Sequence, residues 1–139
     1  MPAEPRASRR LAQRLRHASW TFRAGVYELL VAREPDNVEH LARLGEAYTR
    51  IRRFHSGLEV DRRLVERDPD NPVYRYNLAC SHSLTGDLDG ARAALLAALD
   101  LGFRDIDHLM GDPDLKRLRD DARFNEVRAR IRELETDGG

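Results

Sequence analysis

The chain has one cysteine, one lysine, few aromatic residues and no apolar run near the ~20 residues that crossing a bilayer takes. With Cys80 alone no internal disulfide can form, and a reducing compartment is the expected setting. The opening MPAEPRASRR lacks the apolar core of a secretory signal. It is Arg-rich and acid-poor, as organelle transit segments are, but it runs into helical pattern without a break. A cytoplasmic location is therefore expected. Also missing are a phosphate-gripping glycine loop, a nucleophile elbow and a Ser/His/Asp order. His17, His40, His55 and His108 are scattered, with no His-x-x-x-His spacing. Cys80 and His82, two apart on a helix, point about 200° away from each other and cannot share one metal. Asp87-x-Asp89-Gly90 and Asp105-x-Asp107 lack the further acids of a calcium loop and read as caps and turns. No enzyme, no cofactor and no metal site is expected.

A length of 139 residues suits one domain with a core of its own. Net charge is zero but unevenly placed: Arg6, Arg9, Arg10, Arg14, Arg16 and Arg23 stand against Glu4 in the first 23 residues. Such a basic end suits acidic partners without naming them.

The informative signal is an internal repeat. Leu30-Val31-Ala32-Arg33-Glu34-Pro35-Asp36-Asn37 recurs 34 residues later as Leu64-Val65-Glu66-Arg67-Asp68-Pro69-Asp70-Asn71. The same offset aligns Leu44 with Leu78, Gly45 with Ala79, Tyr48 with His82, Trp20 with Phe54 and Leu88, and Gly57 with Ala91. Each unit reads as two helices. In the first, residues 38–50 place Leu41, Leu44, Ala47, Tyr48 and Ile51 at helical spacing, and Asp36 stands three before Glu39, the spacing of a capping box. Residues 54–67 form the second helix, closed by Pro69. The following unit repeats the plan at 72–84 and 88–101 across Thr85-Gly86-Asp87. The small residues Gly45/Ala79 and Gly57/Ala91 suit close helix crossings.

Leu44-Gly45-x-x-Tyr48, Phe54, Gly57, Leu64 and Pro69, followed by Leu78-Ala79-x-x-His82, Gly86, Leu88, Ala91 and Ala98, resemble the tetratricopeptide repeat family. The resemblance covers roughly residues 8–101. It implies an all-α fold: a right-handed α-solenoid of antiparallel helix pairs, about three repeat units, and a concave groove lined by first helices. Residues 8–35 are either a degenerate first repeat or one long helix; Trp20, Tyr27, Leu30 and Pro35 match a second helix, and Leu11-Ala12-x-x-Leu15 a first. Units follow at 36–69 and 70–103, then a C-terminal cap at 104–135, with 1–7 and 136–139 as flexible ends. In the cap, Pro113 interrupts any long first helix, Asp105–Met110 and Asp114–Leu118 suit short turns, and 121–134 sets Phe124, Val127, Ile131 and Leu134 on one side. Asp112-Pro113-Asp114-Leu115 with Leu118-Arg119 resembles an extension seen on bacterial repeat proteins.

Members of the family act as scaffolds and adaptors, so the resemblance implies a non-catalytic module that grips a peptide or helix of another protein. Its pattern places Arg9, Arg10, Gln13 and Arg16, then Glu39, Arg43, Glu46 and Arg50, then Val73, Tyr76, Asn77 and Cys80 on the concave ridge. Arg9, Gln13, Arg43, Glu46, Arg50, Tyr76 and Asn77 are the candidate binding residues. Asn77 fits one place of the clamp by which some members hold a C-terminal carboxylate. Ala42, Glu46 and Val73 fall where donors are wanted, so that clamp is not expected. Arginines still favour acidic or carboxylate-bearing segments through paired contacts. The alternative is nucleic-acid or acidic-surface binding by the Arg-rich N-terminal helix, whose Leu11, Leu15, Ala18 and Phe22 are expected to face the core. Self-association through an exposed repeat edge is a third reading.

Overall fold

A computed structural model describes residues 6–138, and every regular element among them is helical. In order these are α1 Arg6–Arg33, α2 Val38–Arg50, α3 Phe54–Arg67, α4 Pro72–Thr85, α5 Leu88–Asp100, α6 Ile106–Gly111, a 3-10 turn Pro113–Leu115, α7 Lys116–Arg119 and α8 Phe124–Asp137. Each of α2 to α5 packs on the helix before it, and α8 lies on α5. Among the described residues no helix is long and apolar enough to cross a membrane.

The 34-residue recurrence survives at the level of single hydrogen bonds. Asn37 and Asn71 are the N-caps of α2 and α4; their side-chain oxygens accept from the His40 amide and from the Val73 and Tyr74 amides. Their side-chain amides donate back to Glu34 and Asp68 at 2.8 and 3.2 Å. Glu34 N–H reaches Leu30 O at 2.9 Å, and Asp68 N–H reaches Leu64 O at 3.0 Å. The capping box expected between Asp36 and Glu39 is thus displaced by one residue. Asn37 takes the cap with its amide side chain, and Asp36 pairs with Arg67 instead.

Small residues stand where helices cross. A Cβ on Gly45 would sit 3.3 Å from Val60 Cγ1 and 3.4 Å from Asp61 Oδ1, so α2 and α3 meet more closely there than an alanine allows without a shift. Gly57 is less constrained, with its nearest neighbours at 3.8 Å, in keeping with alanine at its counterpart Ala91. Gly86 ends α4 with φ +88°, the left-handed region that glycine enters without cost. Asp87 then caps α5 by accepting from the Gly90 amide.

The apolar interior has a large part and two small ones. The large part runs from Leu58 through Leu78, Ala79, Ala91, Leu95 and Leu99 to Leu109, Leu115, Leu118, Phe124 and Val127. The small parts join Val31, Leu41, Leu44, Val60 and Leu64, and, beneath Trp20, Ala24, Ala47 and Ile51.

The structure bears on three expectations. First, of the two readings of residues 8–35 it has the long helix: α1 is unbroken over 28 residues. Nothing between Leu15 and Trp20 is a glycine or proline, so no residue there stops a helix already under way. Second, α1 packs inward through Trp20, Ala24, Tyr27 and Val31, while Leu11, Leu15, Ala18 and Phe22 lie exposed. Third, Arg6 and Ala7 belong to α1, and Thr136 and Asp137 to α8, so helix extends into both segments read as flexible ends. Gly138 caps α8, and residues 1–5, Glu4 among them, and 139 lie outside the described residues.

Candidate functional site

Between α2 and α4 lies an open groove of about 1000 Å³. From α2 come Val38, Glu39, Ala42, Arg43, Glu46, Thr49 and Arg50; from α4 come Val73, Tyr76, Asn77, Cys80, Ser81 and Leu84. Asp61 of α3 forms part of the floor, and the segment His108–Asp114 closes one end. Helical spacing explains the α2 set: residues 39, 42, 43, 46 and 50 recur at steps of three and four, on the face turned from Leu41 and Leu44.

Five of the seven expected binding residues line this groove: Arg43, Glu46, Arg50, Tyr76 and Asn77. Arg9 and Gln13 do not; they sit exposed in the first half of α1. Arg43 reaches toward Glu46 at 3.8 Å. The Arg50 guanidinium lies 5.4 Å from the centre of the Trp20 ring, which Arg23 also faces at 4.7 Å. Trp20 thereby holds Arg50 at the rim by a cation–π contact.

Tyr76 differs most from its expected role. It is only 4% exposed. Its ring stacks on Phe103 with centroids 4.3 Å apart, and its hydroxyl donates to Asp112 Oδ2 at 2.6 Å. Read on α4 alone, Tyr76 belongs to an open ridge. The segment after α5 folds back over it and turns it into a wall.

Asp112 is the residue that makes this fold-back possible. Its Oδ1 accepts from the Asp114 amide at 3.0 Å and caps the 3-10 turn. Its Oδ2 takes the Tyr76 hydroxyl and lies 3.7 Å from Cys80 Sγ and 3.3 Å from His108 Nε2. A carboxylate so fully engaged in holding two segments together has little left for a ligand. Cys80 and His108 beside it superficially resemble a nucleophile and base. Burial, with the nearby Asp112 and Asp114 charges, pushes the Cys80 thiol far above its ordinary value, which disfavours the thiolate that a nucleophile needs. Tyr76 is likewise pushed up by burial and by its acidic neighbours. Asp114 is raised by burial and by Asp112, against the lowering influence of Arg50, Arg52 and His108.

The second feature the sequence reading missed is Asp61. Its Oδ2 accepts a short hydrogen bond from Ser81 Oγ on α4. Burial lifts its carboxyl from 3.8 to about 6, and the Ser81 bond pulls the other way. The repeat register holds the clue. Asp61 stands 34 residues before the fully buried Leu95, and Ser81 34 residues after the fully buried Ala47. A polar pair thus occupies two positions that the other unit fills with apolar side chains.

Among the described residues no three His, Cys, Asp or Glu side chains gather as a metal site would need. His82 is buried, with Nδ1 3.2 Å from Asp87 Oδ2. Burial lowers its pKa, opposed by Asp87 and assisted by Arg62. Compared with known proteins, the chain matches no family model and no curated protein.

Proposed function

We propose that this chain is a non-catalytic protein-interaction module that holds a peptide or helical segment of another protein in the groove between α2 and α4. In this reading residues 36–69 and 70–103 are tetratricopeptide-like units of a right-handed stack, capped by 104–135, and the module serves as an adaptor in a bacterial cytoplasm. The observation that carries it is the groove's make-up. Apolar Val38, Ala42, Val73 and Leu84 share its lining with the exposed polar groups Arg43, Glu46, Arg50 and Asn77. Apolar surface with a few fixed polar groups is the usual composition of a peptide site. The non-catalytic part of this reading is supported by the burial of Cys80 and by the hydrogen bonds that already engage Asp112 beside it.

Arg43, Arg50 and Arg52 at the rim, the first near Glu46 and the second over Trp20, favour a segment that carries carboxylates beside its apolar residues. The buried acids do not compete for that role. Asp61 and Asp112 are spoken for by Ser81, Tyr76 and the Asp114 amide.

The test is affinity capture of protein partners, followed by titration of the recovered partner's binding segment. Arg43→Glu/Arg50→Glu is expected to weaken binding about tenfold or more, since rim charges act on encounter and partner choice. Asn77→Ala should weaken it further, with helicity unchanged in both variants because all three residues are exposed. A charge reversal that leaves affinity intact removes the acidic-segment reading. Substituting Tyr76 would not test the groove, because it would disturb the packing on Phe103.

A second reading rests on the arginines of α1. Arg6, Arg9, Arg10, Arg14 and Arg16 are all exposed, and the first turn carries no acid. They suit phosphates or another acidic surface. Binding of that kind collapses with rising salt, whereas a desolvated peptide groove survives in part.

A further inference from the structure

Helix α1 has two apolar faces, and the chain uses one of them. Trp20, Ala24, Tyr27 and Val31 pack inward. Two residues away in each case, some 200° around the axis, the opposite face is open. There Leu11 is 57% exposed, Leu15 62%, Phe22 74% and Leu29 70%. With Ala18 and Gly25 these residues fall at steps of four, three, four, three and four. With Val26, 39% exposed, at its edge, that alternation matches the seam of two packed helices over somewhat under three heptads.

Gly25 gives a second, independent sign. A glycine inside a helix costs about 1 kcal/mol relative to alanine. Here it has no intrachain reason, since a Cβ added to it would meet nothing within 4 Å. An open glycine in the seam makes sense where another helix comes close.

We propose that the outer face of α1 is a homodimer interface, in which two copies of α1 pair antiparallel about a two-fold axis near Trp20. In that register each seam residue meets the seam residue that makes a sum of 40 with its own number. Leu11 then faces Leu29 of the second copy, Leu15 faces Gly25, and Ala18 faces Phe22. Large side chains meet small ones in the middle and leucines meet at both ends, as interdigitated packing requires. All six seam positions are paired, and a shift by one heptad would leave some of them bare.

Charge selects the same arrangement. The residues that flank the seam on one side are Arg14, Thr21 and Glu28. In an antiparallel pair these flanking positions face their own kind, so Arg14 of one copy neighbours Glu28 of the other, twice by symmetry, with Thr21 close to the axis. Glu28 is placed for it: the side chain is 45% exposed and engages Tyr48 and Arg53 of its own chain through Oε1. A parallel pair would instead set Arg6, Arg9, Arg10, Arg14 and Arg16 alongside their copies, where like charges repel. The stripe from Leu11 to Leu29 spans about 27 Å of helix at 1.5 Å per residue.

Sedimentation equilibrium of the full chain tests this. The expected mass is twice the 16.0 kDa of one chain. Phe22→Glu and Leu15→Glu should each raise the dissociation constant about 100-fold or more, because the change enters both halves of a symmetric interface. Their helicity should stay at the wild-type level, since both side chains are exposed in the single chain. Arg14→Glu should weaken the pair, because it sets two carboxylates opposite each other at Glu28. Under oxidation, Leu11→Cys chains mixed with Leu29→Cys chains should cross-link while neither does so alone; Cys80, being buried, stays out of the reaction. A monomeric wild type overturns the proposal, as does a dimer that Phe22→Glu leaves intact or a Leu11→Cys chain that links to itself. A monomer that binds anionic lipid vesicles and loses them on Phe22→Glu assigns the face to membrane surfaces instead.

Discussion

Phe124→Ala is expected to destabilise the chain by about 3–5 kcal/mol, the range for removing a fully buried phenylalanine. Phe124 is among the largest side chains with no exposed surface, and it opens α8 against Leu115, Leu118 and the apolar face of α5. Arg128 lies over its ring at 4.7 Å, so the aromatic also anchors the following turn. A domain of this size holds about 5–15 kcal/mol in all, so the loss is a large fraction. It should not fall evenly. The interior is divided, with Phe124 in the large part and Trp20, the only tryptophan, beside a small part at the other end. In a stack whose elements touch mainly their neighbours, damage at one end need not carry to the other. In urea, helicity of the variant should fall at lower denaturant than the Trp20 fluorescence change. A single coincident transition shifted as a whole would show instead that α3 and α4 couple the two ends fully.

Asp61→Asn is expected to stabilise the chain at pH 8 and to give no gain at pH 4. Burial raises the Asp61 carboxyl from 3.8 to about 6, so the folded chain binds a proton more readily than the unfolded one. That contribution is complete below pH 3.8 and is lost as pH rises through about 6. At pH 8 the fold therefore carries a buried carboxylate whose close donor among the described residues is Ser81. Asparagine keeps the shape and still accepts from Ser81 Oγ, without the charge. The gain should reach up to about 3 kcal/mol at pH 8, read from urea midpoints at the two pH values. His82 changes the same curves with the opposite sign. Its lowered pKa supports the fold above about 6.5 and is lost as pH falls. Because His82 is unaltered in both proteins, the difference between them isolates Asp61.

The helices of the two repeated units were legible because local signals agreed with the larger pattern. The spacing of Leu41, Leu44 and Ala47, the recurrence of Pro-Asp-Asn and the glycine at 86 all point to the same boundaries. The N-terminal segment was harder. Leu11-Ala12-x-x-Leu15 carries the apolar spacing of a short helix, but spacing says nothing about where a helix stops. Without a breaker before Trp20 it did not stop, and the residues counted as core came to lie on the open side. The groove was legible as far as it depends on single helices, which is why Arg43, Glu46, Arg50 and Asn77 line it. Tyr76 was misjudged because its surroundings come from Phe103 and Asp112, 27 and 36 residues away. Asp112-Pro113 is itself a cap followed by a first-turn proline, a local signal of a tight turn that gives no hint of what the turn will cover. Asp61 and Ser81 could have been found by asking which polar residues sit in register with Leu95 and Ala47.

No residue of α1 lines the groove, so covering the outer face of that helix leaves the groove open. If two chains pair through α1 and each groove holds a peptide segment, as proposed, the pair carries two such sites related by a two-fold axis. Against a partner that displays two such segments, the second engagement becomes intramolecular. Retention can then exceed the strength of either groove by about 10²–10⁴ when the spacing fits. A weak grip in each groove is enough for such a pair, and selectivity passes from the single peptide to the distance between two.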